Sequence, residues 1–264
     1  MTDEVVPLRP AATVMLVRDV DAMGLEVFMV RRAVRAAFAP GMYVFPGGRV
    51  DDADGEPEVA DVVAGLDDAE ASARLGLPSG GLAYWVAAIR ECFEEAGLLY
   101  ANTTTADGDA RPTDADRWAV HRGEMSMVEL CRRYDMVLDV TALRYVSHWV
   151  TPVGESKRRF DTRFFLAAAP AGQDGRHDDA ELVDSRWVVP ADALAAAERG
   201  ELVLMPPTSA NLRFIADCAT VAEALARADT AGPPPRIEPR IRRGAHGKVV
   251  GIALPGDPDF DDLA

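Results

Sequence analysis

The chain has 264 residues, 48% of them hydrophobic, three cysteines and a formal net charge of −15. That is enough apolar material for a sizeable folded core, and the negative charge disfavours passive binding to the polyanionic backbone of nucleic acid or to an anionic membrane. Cys92, Cys131 and Cys218 are widely spaced and odd in number, which argues against a disulfide framework or a CxxC metal knuckle.

Short apolar runs at 12–17 and 27–31, separated by a polar stretch with Gly24, predict two strands joined by a turn. Residues 36–48 end in Val44-Phe45-Pro46-Gly47-Gly48, a strand entering a turn that needs glycine. An acidic segment at 51–58 and a mixed helical one at 59–77 lead to the breaker Pro78-Ser79-Gly80-Gly81. The spacing then predicts a helix over 82–96, stopped by Gly97, a loop over 102–112 and a helix over 114–134 capped by Asp114 or Asp116. Strands are expected at 145–150, 160–167 and 181–189, and helices at 191–199, opened by Pro190, and 211–228. Beyond Gly232-Pro233-Pro234-Pro235 the tail reads as extended. This irregular interleaving predicts an α/β or α+β class with a mixed sheet, in a single domain over 1–264 with additions over 190–264. No secretory pattern and no apolar run near the roughly 20 residues that span a bilayer is visible, so the cytoplasm is the expected compartment.

The most informative segment is Arg90-Glu91-Cys92-Phe93-Glu94-Glu95-Ala96-Gly97-Leu98. At about 100° per residue, Glu91, Glu94 and Glu95 share one helix face and Ile89, Phe93 and Ala96 the other. Carboxylates at i, i+3 and i+4 repel one another. A hard divalent cation such as Mg2+ would relieve them, because it takes carboxylate oxygens, keeps waters and holds phosphates. Five fixed positions at roughly 7% each arise by chance at about 10⁻⁶ per start, too rarely for an ordinary acidic surface face to explain the string.

This string resembles the second half of the box of the Nudix hydrolases, with Cys92 at the aliphatic position. Counted from Gly48, the first-half glutamate position holds Asp54, and 55–89 stand where the compact box has seven residues, so the chain resembles a box split by an insertion over about 55–84. The resemblance implies a Nudix α/β/α sandwich and a Mg2+ or Mn2+ site on Glu91 and Glu95, then Glu94, Asp54 and the carbonyl near Gly48. Arg90 would orient the carboxylates. The segment from Arg32-Ala33 to Phe45-Pro46-Gly47-Gly48, together with Lys157-Arg158-Arg159-Phe160-Asp161-Thr162-Arg163-Phe164-Phe165, is similar to the insertion-bearing coenzyme A and acyl-coenzyme A diphosphatase group, over about 12–207.

That resemblance implies hydrolysis of a nucleoside diphosphate derivative, first coenzyme A or its acyl thioesters, giving 3′,5′-adenosine diphosphate and phosphopantetheine. ADP-ribose, NADH or another dinucleotide is the alternative. A nucleotide-binding regulatory module without catalysis is a third reading, against which the full set of Arg90, Glu91, Glu94 and Glu95 argues. Arg31, Arg32 and Arg35, with Lys157, Arg158 and Arg159, are the candidate phosphate-binding cations. Glu94, Glu155 and Glu181 are candidate proton acceptors, with Glu181 preferred among the distal pair. Met125, Met127, Val128, Leu130 and Met136 are candidates to line an apolar groove. His121, His148, His177 and His246 show no metal-ligand spacing and read as surface or packing residues. A homodimer is expected from the family alone.

Overall fold

The computed structural model describes residues 6–20, 24–35, 39–104, 111–155, 158–176 and 182–263. In chain order the strands and helices are β1 (Leu8–Val20), β2 (Gly24–Arg32), β3 (Tyr43–Val44), β4 (Gly47–Arg49), β5 (Val63–Ala64), α1 (Asp68–Leu75) and α2 (Leu82–Glu91). They continue with β6 (Ala101–Thr103), α3 (Asp114–His121), α4 (Met127–Arg133), β7 (Met136–Asp139), β8 (Arg144–Val150) and β9 (Arg159–Ala168). The last are β10 (Leu182–Val188), α5 (Pro190–Glu198), α6 (Pro206–Ile215), α7 (Val221–Thr230), β11 (Arg236–Ile237), β12 (Arg240–Arg243) and β13 (Val249–Ala253).

The main sheet runs β10-β2-β1-β9-β8-β11, parallel between β1 and β9 and between β8 and β11 and otherwise antiparallel. Both faces are covered, so β1 reads as an almost continuous apolar run. Ala12, Val14 and Leu16 pack toward α2 on one face, and Met15 and Val17 toward α6 and α7 on the other. β9 divides likewise, Phe165 and Ala167 against Phe164 and Leu166. The result is the α/β sandwich with a mixed sheet anticipated from the sequence.

One detail of register positions the site. β1 pairs with β2 over Val17–Val20 and with β4 over Ala11–Thr13. β2 therefore diverges from β1 halfway along, and the Gly47-Gly48 backbone fills the opening at mid-sheet. Gly47 must lack a side chain there, because a Cβ would lie 2.6 Å from the Ala12 carbonyl oxygen.

The inserted segment packs on α2. Val59, Val62, Leu66, Ala71 and Leu75 share a core with Leu82 and Trp85. Asp68 of α1 accepts hydrogen bonds from the Gly80 N–H (2.9 Å) and the Leu82 N–H (3.0 Å), so the insertion caps the start of α2. Met125, Met127, Val128, Leu130 and Met136 are buried in this same core. They are packing residues and line no groove at the cleft described below.

Three predicted helices differ from the structure. The 114–134 helix is two, α3 and α4, because the chain turns at Gly123 (φ +68°) and restarts at Ser126, whose hydroxyl caps α4. The 211–228 helix is also two, α6 starting at Pro206 and α7 capped by Thr220. The 82–96 helix keeps α-geometry only to Glu91, and Cys92–Ala96 form a wider π-helical turn.

Candidate functional site

The π-turn ends at Gly97, which is left-handed (φ 69°) and donates its N–H to the Phe93 carbonyl. Such turns widen the helix locally and recur at functional sites. Here the turn carries Glu94 and Glu95, while Glu91 is the last α-helical residue. None of the three is a solvated surface acid: they are 8%, 7% and 5% exposed.

Arg90 organises them. Its Nε and Nη2 donate to the two Asp54 oxygens (2.9 Å each), its Nη1 donates to Glu91 (2.8 Å) and Glu94 (3.1 Å), and Nη2 also donates to the Arg49 carbonyl (2.7 Å). Burial opposes the Arg90 charge, but the Asp54 hydrogen bonds and the charges of Glu91, Asp54 and Glu94 outweigh it and raise its pKa. Burial pushes Glu91 up to about 8, with Arg90 opposing the rise and Glu94 adding to it. Asp54 also accepts the Asp51 N–H (2.9 Å), so it is held as the acceptor of the Arg90 fork.

The glycine turn closes on this cluster. The Gly47 N–H donates to Glu95 Oε2 (2.8 Å). A Cβ on Gly48 would fall 2.4 Å from a Glu91 oxygen, so main chain lies directly against that carboxylate. Three buried carboxylates surround the Arg90 guanidinium and Glu95 stands beside them, so carboxylates outnumber the cation, and every one of these side chains offers a hard oxygen. Among the described residues no group of three or more His, Cys, Asp or Glu side chains is arranged to hold a metal ion. The oxygen donors are of the kind Mg2+ or Mn2+ takes, since magnesium is held by one or two carboxylates and completes its shell from water and phosphate.

The cluster opens into a cleft of about 910 Å³. Arg32, Arg35 and Arg158 line it, and so do Arg9 and Arg49, which the sequence reading did not single out. Arg31 does not line the cleft; it lies in β2 opposite Asp184 and Tyr43. Arg159 is excluded from it because its guanidinium is engaged by the Thr151 carbonyl (3.0 Å), the Val6 carbonyl (3.4 Å) and Glu238 (2.5 Å). Lys157 and Glu181 lie outside the described residues. Glu155 lines the cleft, and partial burial raises its carboxyl pKa.

α3 brings two residues to Glu94: Arg117, which the sequence did not single out, and His121, which the sequence suggested as a surface or packing residue and which lines the cleft. Arg117 Nε donates to the Glu94 backbone carbonyl (2.9 Å) and its Nη2 to the Arg176 carbonyl (2.9 Å). One turn on, His121 Nδ1 stands 3.4 Å from Glu94 Oε2 at the cleft wall. The i, i+4 spacing of Arg117 and His121 on an amphipathic helix was the available signal.

A glycine turn set against a carboxylate-bearing helix terminus, inside an α/β sandwich, is the Nudix arrangement. A crystal structure of a NUDIX hydrolase from Alicyclobacillus acidocaldarius superposes with a TM-score of 0.70 at 29% identity, covering 87% of this chain and 99% of that one. The NUDT19 Nudix domain family matches residues 65–215, more than half of the chain, and the chain belongs to that family. Proteins named acyl-coenzyme A diphosphatase NUDT19 are similar to it: 28% identical in Xenopus laevis over 75% of this chain and 61% of the relative, and 29% identical in Homo sapiens over 81% and 67%. The chain thus spans roughly three fifths to two thirds of these relatives' length. No helix among the described residues is long and apolar enough to cross a membrane.

Proposed function

We propose that the protein is a divalent-metal-dependent Nudix hydrolase that cleaves the diphosphate of coenzyme A or an acyl-coenzyme A to 3′,5′-adenosine diphosphate and phosphopantetheine or its acyl form. The observation that carries this reading is the joining, in one cleft, of the buried Glu91, Glu94 and Glu95 cluster with Arg9, Arg32, Arg35, Arg49 and Arg158. Hard oxygen donors suit the cation, and dispersed guanidinium groups suit a substrate with phosphates at more than one place. The names of the Xenopus and human relatives support coenzyme A derivatives as that substrate.

Glu91 and Glu95, with a main-chain carbonyl of the Gly47-Gly48 turn, would hold the cation, and Glu94 stands beside them. Asp54 acts through Arg90 as a positioning residue, since both of its oxygens receive the guanidinium fork. A bound Mg2+ supplies Lewis-acid charge neutralisation at phosphate oxygens and lowers the pKa of water. The chain itself fixes the carboxylates: Arg90 holds Glu91 and Glu94, and the Gly47 N–H holds Glu95. Arginines at the cleft wall bind and orient the phosphates. The attacking water must lose a proton, and Glu155, which lines the cleft and whose carboxyl pKa is raised by burial, is one acceptor to test. Glu94 and Glu181 are the other acceptors to test.

Turnover of coenzyme A, acyl-coenzyme A, ADP-ribose and NADH with Mg2+, with products resolved by mass, tests the reading. Release of 3′,5′-adenosine diphosphate supports it, and cleavage of only the other two substrates overturns the substrate choice. Glu95→Gln should lose turnover while retaining substrate binding; normal turnover in that variant refutes the metal assignment.

A further inference from the structure

The start of α6 reaches the same cleft as the carboxylate cluster, through Met205, Pro206, Pro207 and Thr208. Contacts with β3 bring it there. The Tyr43 N–H donates to the Val203 carbonyl (3.0 Å) and Tyr43 bridges to Leu204, so the residues leading into α6 lie along β3. Leu212 and Ile215 of α6 pack in one core with Phe45, two residues before the Gly47-Gly48 turn. On its other side β3 pairs with β2, which ends at the cleft residue Arg32.

We propose that this helix start is a phosphate subsite, in which the Thr208 N–H and hydroxyl bind oxygens of one phosphate group of the substrate. The proposal rests on the diphosphatase reading above and deepens it, by giving substrate contact to a neutral side chain in addition to the arginines.

An α-helix leaves the N–H groups of its first turn without intrahelical acceptors, and its dipole favours anions at that end. A capping side chain commonly takes one of these donors. In α6 the cap position is Met205, which supplies no acceptor, and no acidic residue occupies the first turn. Pro206 and Pro207 have no N–H to offer, and the Ser209 N–H already donates to the Met205 carbonyl (2.9 Å). The open donor of that turn is therefore the Thr208 N–H. A helix start of this kind is by itself ordinary, and the Thr208 side chain is what makes it a site. Thr208 is only 3% exposed and lines the cleft, yet among the described residues its hydroxyl has no hydrogen-bond partner.

A buried hydroxyl without a partner is unfavourable, and folded proteins keep few of them. Valine would fill the same space at no loss of bonding within the fold, so the hydroxyl calls for a partner from outside it. A phosphate oxygen is the partner that fits. It accepts from both Thr208 donors, carries the charge that the helix end favours, and belongs to a molecule whose diphosphate is held in the same cleft. An alkyl chain accepts no hydrogen bond, and an uncharged nucleobase gains nothing comparable from the helix dipole.

The test uses the full chain, Thr208→Val, which removes the hydroxyl, and Thr208→Ser, which keeps it. kcat/KM is measured with Mg2+ for coenzyme A and for 3′-dephospho-coenzyme A, which lacks the phosphate monoester. Affinities for 3′,5′-adenosine diphosphate and adenosine 5′-monophosphate are measured by calorimetry. Thr208→Val should keep the Tm of the unsubstituted protein and lower kcat/KM for coenzyme A about tenfold or more, as expected for one lost hydrogen bond to a charged group. Thr208→Ser should stay within about threefold. A loss with coenzyme A alone supports a subsite for the monoester, and an equal loss with both substrates supports one for the diphosphate. Thr208→Ala gives the same comparison if the valine variant does not fold. Unchanged kcat/KM for both substrates and unchanged affinity for both nucleotides overturn the subsite and leave the diphosphatase reading standing. Failure of the unsubstituted protein to hydrolyse either substrate overturns that reading, and the nucleotide affinities then decide the subsite by themselves.

Discussion

Replacing Arg90 by methionine should unfold the protein far more readily, by an amount the structure sets. The guanidinium makes five hydrogen bonds, four of them to Asp54, Glu91 and Glu94, whose residues are only 2%, 8% and 7% exposed. Methionine fills much of the same volume, so the cavity contribution is small and the loss comes from three buried carboxylates left without their cation. Breaking a buried ionic cluster from one side costs about 3–5 kcal/mol. At about 2–4 °C per kcal/mol for a chain of this size, the melting temperature should fall by on the order of 10 °C. Arg90→Lys keeps the charge but cannot make the bidentate fork to Asp54, and should fall between the two. Urea or thermal unfolding without divalent metal at neutral pH measures this directly. A loss under about 1 kcal/mol for Arg90→Met, within the range of an ordinary surface substitution, would refute the role given to the arginine.

Other substitutions and conditions separate the parts of the site. Burial raises Glu91 to about 8 in the folded chain, whereas an unfolded glutamate ionises near about 4.3. Between those values the native state keeps a proton that the unfolded state has lost, so the metal-free protein should lose stability as pH rises through the window and level off above it. Mg2+ favours the ionised form, so its stabilising shift in Tm should be larger at pH 8.5 than at pH 6; a shift independent of pH would contradict this. Gly47→Ala drives a Cβ into the β1 backbone and should lower Tm, whereas Gly48→Ala meets the Glu91 carboxylate and should chiefly raise the Mg2+ concentration needed for half-maximal turnover. Arg35→Ala should raise KM severalfold with Tm nearly unchanged, and Arg159→Ala should lower Tm, because one side chain lines the cleft and the other is bonded within the fold. Arg117→Ala should lower kcat about tenfold with little change in KM, and Arg117→Lys should recover part of the loss; an equal loss in both parameters would make its role merely structural.

The sequence made the carboxylate cluster legible because its information is local. Arg90, Glu91, Glu94 and Glu95 lie within six consecutive positions, and their repulsion is a property of spacing alone. Even so, the spacing argument assumed a regular α-helix, whereas the structure widens the turn after Glu91. The strands were legible for the same reason: a two-residue alternation along β9 separates Phe160, Thr162 and Phe164 from Asp161, Arg163 and Phe165, and the structure places the first group at the cleft and Phe165 in the core beneath α2. The rest of the cleft was hidden because the elements that build it are distant in sequence. Arg9 comes from β1, His121 from α3, Met205 to Thr208 from the start of α6 and Ile252 from β13. The break between α6 and α7 was hidden too, because apolar residues continue across it and its signal, the Thr220 cap, is a single residue.

The insertion packs on the helix that leads into the carboxylates. α2 is buried along its whole length, with the sheet on one side and the inserted 3-10 turns, α1 and α4 on the other. Here the same insertion caps the start of α2 through Asp68, and Asp54, at its near edge, fixes Arg90. At the other end, Arg117 of α3 holds the Glu94 carbonyl and His121 approaches the Glu94 carboxylate. Burial therefore strengthens the field around the glutamates and makes their geometry depend on segments outside the box. Changes in the insertion or in α3 should alter metal affinity and turnover without touching a ligand, because those segments determine where the carboxylates stand.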